Sequence, residues 1–283
     1  MIRDVLAVAR MIKIEHSIFA LPFAYIGLFL AADGWPGWEK FFWVSVAMVC
    51  IRSFAMTINR IVDRDIDAKN PRTSNRPLVV GDVGVGFAWG FALVCAILFV
   101  ISCAMLNRVC LLLSVPVVVW AGLYSYSKRF TSLCHFWLGS VLALAPLGGW
   151  LGFRPVVVPG ILDFFFGVLF WVAGFDIIYS CQDVDFDREE GLHSLPANLG
   201  EASSLYISTL SHVIAIIFFF LGGFSFSLGW IYFLSLLGVS LILMLEHILV
   251  TPDRTQHISL AFFNLNAIVA CVLCAGVIMD LFL

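Results

Sequence analysis

NRIVDRDIDAKNPRTSNRP, residues 59–77, packs three aspartates (Asp63, Asp65, Asp67) and five basic residues into nineteen positions, directly behind the apolar run 41–59. The chain has little charge to spare: 61% of its 283 residues are hydrophobic, 12% are charged, and the mean hydropathy is +1.01. Soluble globular proteins carry about 25% charged residues. A chain this apolar, with its charge gathered between apolar runs, is organised by a bilayer, and the charged stretches are the segments that leave it.

Working outward from residues 59–77, the charge and turn signals cut the chain into nine apolar runs: about 16–32, 41–59, 83–102, 108–124, 134–151, 161–182, 202–221, 229–250 and 257–281. A helix needs about 20 mostly apolar residues to span a membrane. Unpaired backbone is too costly inside hydrocarbon, and the alternating segments of about ten residues that mark a barrel are absent. The expected fold is all-α: a polytopic membrane helical bundle of about nine transmembrane helices, forming one transmembrane domain over residues 1–283. Residues 1–15, with Arg3, Arg10 and Lys13 on one face and apolar residues on another, read as an amphipathic helix at the membrane surface.

Lysine and arginine set the orientation. Twelve of the sixteen fall in the N-terminus and in the loops on its side of the membrane, three (Lys40, Arg108, Arg154) fall in the opposite loops, and Arg52 lies inside a span. The bias places the N-terminus and the 60–82 and 183–201 loops in the cytoplasm. The eight cysteines lie in or beside apolar runs, and Cys271-x-x-Cys274 has no second pair to complete a zinc pattern.

Basic loops follow from that bias, but acidic ones do not. Ten of the nineteen acidic residues fall in the same two loops, and the second begins QDVDFDREEGLHSLP at Gln182. Each loop opens with D-x-D-x-D straight after an apolar run, 120 positions apart. Residues four apart share a helical face, so Asn59, Asp63 and Asp67 form one stripe and Asp183 and Asp187 another. Seven positions back along these stripes stand Arg52 and Asp176, ionisable residues inside spans, which by default face a polar cavity. An EF-hand loop would need Gly at its sixth position and Glu at its twelfth. Here those positions hold Ala68 and Ser74, then Arg188 and Ser194. Clustered carboxylate and amide oxygens suit a hard cation such as Mg²⁺ together with phosphates. Nearby Arg72, Arg76, Lys128 and Arg129 could hold diphosphate oxygens, and an apolar bundle could hold a hydrocarbon tail.

The two stretches resemble the two signatures of the UbiA superfamily of membrane prenyltransferases, N-D-x-x-D-x-x-x-D and D-x-x-x-D. The resemblance extends to YSYSKRF at Tyr124–Phe130 and EHSIFALPFAY at Glu15–Tyr25. Arg60 departs from the pattern, which has Asp there. The resemblance implies Mg²⁺-dependent transfer of a polyprenyl group from its diphosphate to a small aromatic acceptor. Asn59, Asp63, Asp67, Asp183 and Asp187 would hold metal and diphosphate, with Lys128 and Arg129 as the basic loop. RSFAMTINR and EGLHSLP look most like the 4-hydroxybenzoate polyprenyltransferases, with naphthoate-prenylating menaquinone enzymes as the alternative acceptor class. A cation-coupled transporter is the alternative from another class. The expected partners are a polyprenyl diphosphate, the aromatic acceptor and the lipid bilayer, with no nucleic acid. The expected location is a bacterial or archaeal cell membrane.

Overall fold

The computed structural model describes residues 2–13, 20–250 and 265–283, and every regular element among them is helical. In chain order these are α1 (Ile2–Ile12), α2 (Leu21–Ala32), α3 (Trp38–Val62), α4 (Arg64–Lys69), α5 (Val85–Leu106), α6 (Arg108–Leu123), α7 (Cys134–Phe153), α8 (Pro159–Ser180), α9 (Val184–Glu189), α10 (Leu195–Leu199), α11 (Glu201–Ser225), α12 (Trp230–Leu249) and α13 (Asn266–Phe282). Seven helices among the described residues are long and apolar enough to cross a membrane, and α2 and α13 are shorter apolar helices. Each of the nine expected runs coincides with one of these helices. Residues 16–19 of the first run and 257–264 of the last lie outside the described residues. The two charged loops are more ordered than their composition suggests: α4 lies within 60–82, and α9 and α10 lie within 183–201.

The bundle is held where small residues let backbones meet, the usual device in a membrane, where apolar side chains gain nothing by leaving lipid. A Cβ on Gly149 of α7 would stand 2.9 Å from the carbonyl carbon of Ala24 and 3.1 Å from the Leu28 nitrogen, both in α2. A Cβ on Gly27 of α2 would meet the Pro146 carbonyl carbon at 2.8 Å and the Trp150 nitrogen at 2.9 Å. These reciprocal glycines fix α2 against α7. Gly139 approaches Leu169 of α8 in the same way, with a Cβ position 3.2 Å from its carbonyl carbon. Around this frame Phe23, Phe164, Trp171 and Phe219 are almost wholly buried.

Helix α1 forms where the amphipathic N-terminus is expected, and its Ala7, Met11 and Ile12 pack against Leu78, Val83 and Ala88. Two arginines of α3 close its C-terminal end. Arg52 donates to the carbonyls of Ile12 (3.2 Å) and Lys13 (3.0 Å), and Arg60 donates to that of Met11 (3.3 Å). Cations at a helix C-terminus satisfy carbonyls that lack intrahelical partners.

Candidate functional site

Both acidic signatures sit where a long helix gives way to a short one. Helix α3 ends at Val62, Asp63 has φ −91° and ψ 0°, and α4 starts at Arg64. Helix α8 passes through a single tight turn, Cys181–Asp183, into α9. The expected face-sharing at the first signature survives this junction, because the Asp63 N–H donates to Asn59 O (3.0 Å) and the Asp67 N–H to Asp63 O (2.7 Å). Side chains follow: Asn59 Nδ2 donates to Asp63 Oδ2 at 2.9 Å.

The cations named from sequence, with one exception, reach these acids or the cavity beside them. Lys128 Nζ donates to Asp63 Oδ2 at 2.8 Å, and Arg76 pairs with Asp67. Arg72 crosses to the second signature, with Nε 2.9 Å from Asp183 Oδ1, Nη2 paired to the other carboxylate oxygen, and Nη1 donating to the Tyr179 hydroxyl at 2.6 Å. Burial works against the Arg72 charge, but its bonds to Asp183 and Tyr179 outweigh that, so its pKa is raised. Asn70 Nδ2 adds a second bond to Asp183 Oδ1, at 2.9 Å. Asp187 accepts from Ser194 Oγ at 2.7 Å. The exception is Arg129, whose guanidinium donates to the Val62 carbonyl (2.6 Å), next to Asp63, and lies over the Tyr126 ring.

Sequence reasoning missed Asn70, Tyr179 and Ser194. Asn70 and Ser194 lie inside the charged loops, and the only available signal was their proximity to the signatures. It also missed Lys69, which pairs with Glu190 at 2.6 Å and makes a further bridge between the two loops. The role of Arg60 at the departed position is visible too: it is buried and donates to Asn59 Oδ1 at 3.0 Å, so it orients the asparagine amide towards Asp63.

A cavity of about 260 Å³ opens beside these acids, lined by α2, α3, α5, α6, α7 and α8. Its wall is apolar, with Val44, Ile51, Phe99, Leu106, Leu142 and Phe175 among the lining side chains. Polar groups enter it at Arg52, Ser114, Tyr124 and Asp176, so both intramembrane ionisable residues singled out from sequence line a cavity whose wall is otherwise mostly apolar. Along α3 the lining runs from Val44 to Met56, twelve residue steps or about 18 Å of helix. Tyr124 lies within electrostatic reach of both Asp63 and Asp176, which puts the polar part of the cavity next to the first signature.

The donor set can be tested against a divalent cation. Among the described residues no three His, Cys, Asp or Glu side chains converge closely enough to hold a metal ion, and three of the signature carboxylates carry Arg or Lys partners. Asp63 Oδ1, however, is buried and has no hydrogen-bond partner among the described residues. A buried carboxylate oxygen without a partner is costly, and a hard cation satisfies it. Oxygen donors from Asn59, Asp63, Asp67, Asp183 and Asp187 are the type Mg²⁺ takes. The residues fit the ion.

The model of the UbiA prenyltransferase family matches residues 20–268. This chain belongs to that family. The prenyltransferase is 30% identical over 267 residues to a 4-hydroxybenzoate octaprenyltransferase of Acidovorax ebreus, covering 88% of this chain and 86% of that one. It is 26% identical over 262 residues to a protein of the same name from Marinobacter nauticus, covering 91% and 89%. The apo structure of a UbiA homolog from Aeropyrum pernix K1 is 37% identical and superposes with a TM-score of 0.86 over 94% of this chain and 98% of that one. A UbiA homolog from Archaeoglobus fulgidus, solved with GPP and Mg²⁺, shares the fold at 18% identity with a TM-score of 0.66, over 94% and 99%. The family sets aside the transporter alternative: the prenyltransferase is an enzyme embedded in the membrane.

Proposed function

We infer that this prenyltransferase joins a polyprenyl group, delivered as its diphosphate, to a small aromatic acid, with 4-hydroxybenzoate as the acceptor and a quinone precursor as the product. The observation that carries the reading is the placement of two acidic signatures, tied together by Arg72, Asn70 and Lys69, beside a long apolar cavity that contains one arginine and one carboxylate. The curated relatives named for this reaction cover most of the chain.

In this reading Asn59, Asp63, Asp67, Asp183 and Asp187 hold Mg²⁺ and Arg72, Arg76 and Lys128 hold the diphosphate. Bound there, Mg²⁺ offsets negative charge on the departing diphosphate. The chain's own cations add to this as the allylic C–O bond breaks and its electron pair leaves with oxygen. The apolar wall excludes water, so the allylic cation meets the acceptor ring rather than solvent. Arg52 lines the cavity from α3 and is placed to take the acceptor carboxylate. Arg129 serves the first signature from outside, holding the Val62 carbonyl next to Asp63.

With the N-terminus cytoplasmic, the nine apolar helices each cross once and the site opens to the cytoplasmic face of a bacterial or archaeal cell membrane. Helix α1, Ile2–Ile12, is the interfacial helix of a single transmembrane domain.

The test is prenyl transfer by the purified protein from geranyl diphosphate to 4-hydroxybenzoate or to a dihydroxynaphthoate, with and without EDTA. The expected result is a prenylated benzoate whose formation stops with EDTA. Product from the naphthoate alone would move the acceptor to the other class. Turnover that is indifferent to EDTA would overturn the metal role.

A further inference from the structure

The proposed transfer leaves one proton unassigned. When the ring carbon attacks the allylic cation, its π pair forms the new C–C bond, and the ring regains aromaticity only after the hydrogen on that carbon leaves. Asp176 faces the cavity from the last turns of α8. Its Oδ2 lies 2.7 Å from Nδ1 of His135, at the start of α7. His135 is 2% exposed, and its other ring nitrogen, Nε2, is 3.2 Å from the backbone nitrogen of Leu195.

That second contact fixes the chemistry of the first. A backbone N–H can only donate, so Nε2 of His135 accepts and carries no proton. The imidazole is then neutral with its proton on Nδ1, and Nδ1–H donates to Asp176. The Asp176 carboxylate accepts that bond, pinned by a side chain that cannot rotate without losing two bonds, and it keeps 23% of its side-chain surface accessible. An oriented carboxylate with a histidine behind it on a cavity wall is the arrangement a general base requires.

The geometry points to Asp176 as the base that takes the proton from the attacked ring carbon of the acceptor, with His135 as the residue that positions it. This rests on the aromatic-transfer reading above. The balance is complete. The C–O pair leaves with diphosphate, the ring π pair forms the C–C bond, the C–H pair returns to the ring, and the proton passes to the Asp176 carboxylate. From there it is released to the diphosphate or to water when products leave.

The same anchor reaches the other half of the site. Ser194, next to Leu195, caps α10 through the Ala197 N–H (3.3 Å) and donates to Asp187, while the His193 N–H donates to Lys128 O at 2.7 Å. The start of α10 therefore joins the base, one signature aspartate and the basic loop in a single rigid piece.

The experiment compares wild type with Asp176→Asn, which keeps the shape of the side chain and removes its basicity, using 4-hydroxybenzoate with hydrogen or deuterium at the ring positions beside the hydroxyl. Loss of a general base costs about 10²–10⁴-fold in rate. The expected result is a kcat at least about a hundredfold lower, an unchanged KM for the prenyl diphosphate, and a several-fold deuterium effect that wild type lacks, because proton loss has become the slow step. His135→Ala is expected to show the same isotope effect with a smaller fall in kcat, and His135→Asn, which keeps a donor near the Nδ1 position, to recover part of it. If Asp176→Asn does not fold, His135→Ala carries the test. A slow variant with no isotope effect, or a variant with wild-type kcat, overturns the base. Wild type inactive on every aromatic acceptor while binding prenyl diphosphate would instead refute the function proposed above.

Discussion

Gly149 and Gly148 are neighbours in α7 with opposite surroundings, and the pair makes a quantitative test of how the bundle is held. A Cβ at Gly149 would stand 2.9 Å from the Ala24 carbonyl carbon and 3.1 Å from the Leu28 nitrogen, and closer still to the Ala24 oxygen, whereas at Gly148 it meets nothing within 4 Å among the described residues. Carbon atoms rest about 3.5–4.0 Å apart. The alanine variant at 149 must therefore push α2 and α7 apart by about 1 Å, since the obstructing atoms are backbone and cannot rotate away. Overpacking costs about 1–3 kcal/mol, and a backbone obstruction belongs at the upper end, about 2–3 kcal/mol. At about 2–4 °C per kcal/mol for a large domain, Gly149→Ala should lower the unfolding temperature by about 4–12 °C in a fixed detergent, read by intrinsic tryptophan fluorescence. Gly148→Ala should leave it unchanged or raise it slightly, because alanine is the better helix former. Gly148, Gly149 and Ala24 all line the cavity, so turnover could fall in either variant and the unfolding temperature is the readout that separates them. Equal unfolding temperatures for the two variants would refute the close-packed α2–α7 seam.

Other perturbations probe the charged end. Asp63→Ala and Asp187→Ala should each abolish turnover while the protein elutes and melts as a folded species, and wild-type rates in both would remove the metal assignment. Arg72→Lys keeps a charge but loses the fork that reaches Asp183 and Tyr179 together. A loss of about 1.4 kcal/mol, tenfold in KM for the prenyl diphosphate, is expected, and an unchanged KM would show that Arg72 serves only the loop. Ser194→Ala removes both the α10 cap and a donor to Asp187. Cap loss costs about 1 kcal/mol, so a small drop in unfolding temperature should accompany an increased Mg²⁺ requirement, measured by titrating activity against the metal.

The membrane-spanning architecture was legible because hydropathy is a local property. The run read as 108–124 is α6, Arg108–Leu123, and 229–250 is α12, Trp230–Leu249. The short helices α4, α9 and α10 were not legible. Five or six residues with mixed charge carry no periodic signal, and their order comes from bonds made across the fold. The same holds within the site. The spacing of Asn59, Asp63 and Asp67 could be read from the helical repeat, and Arg52 and Asp176 from their charge inside apolar runs. His135 also had that signal, as a histidine at the head of an apolar run, but its partner lies 41 positions away. Arg72 and Asp183 are 111 positions apart, and nothing in either loop announces the other. Arg129, named together with Lys128 as the basic loop, reaches the first signature through the Val62 carbonyl, a backbone contact that no sequence pattern announces.

Among the described residues, Lys128–Asp63, Arg76–Asp67, Arg72–Asp183 and Lys69–Glu190 are resident ion pairs at the charged end of the bundle. On the proposed function a metal–diphosphate would therefore enter as a salt meeting a salt: the carboxylates would trade ammonium and guanidinium partners for the metal, and the released cations would turn to phosphate oxygens. Little net charge is created or destroyed in such a double exchange. Substrate capture should accordingly respond less to ionic strength than it would at a bare patch of lysines, where screening acts on the whole attraction.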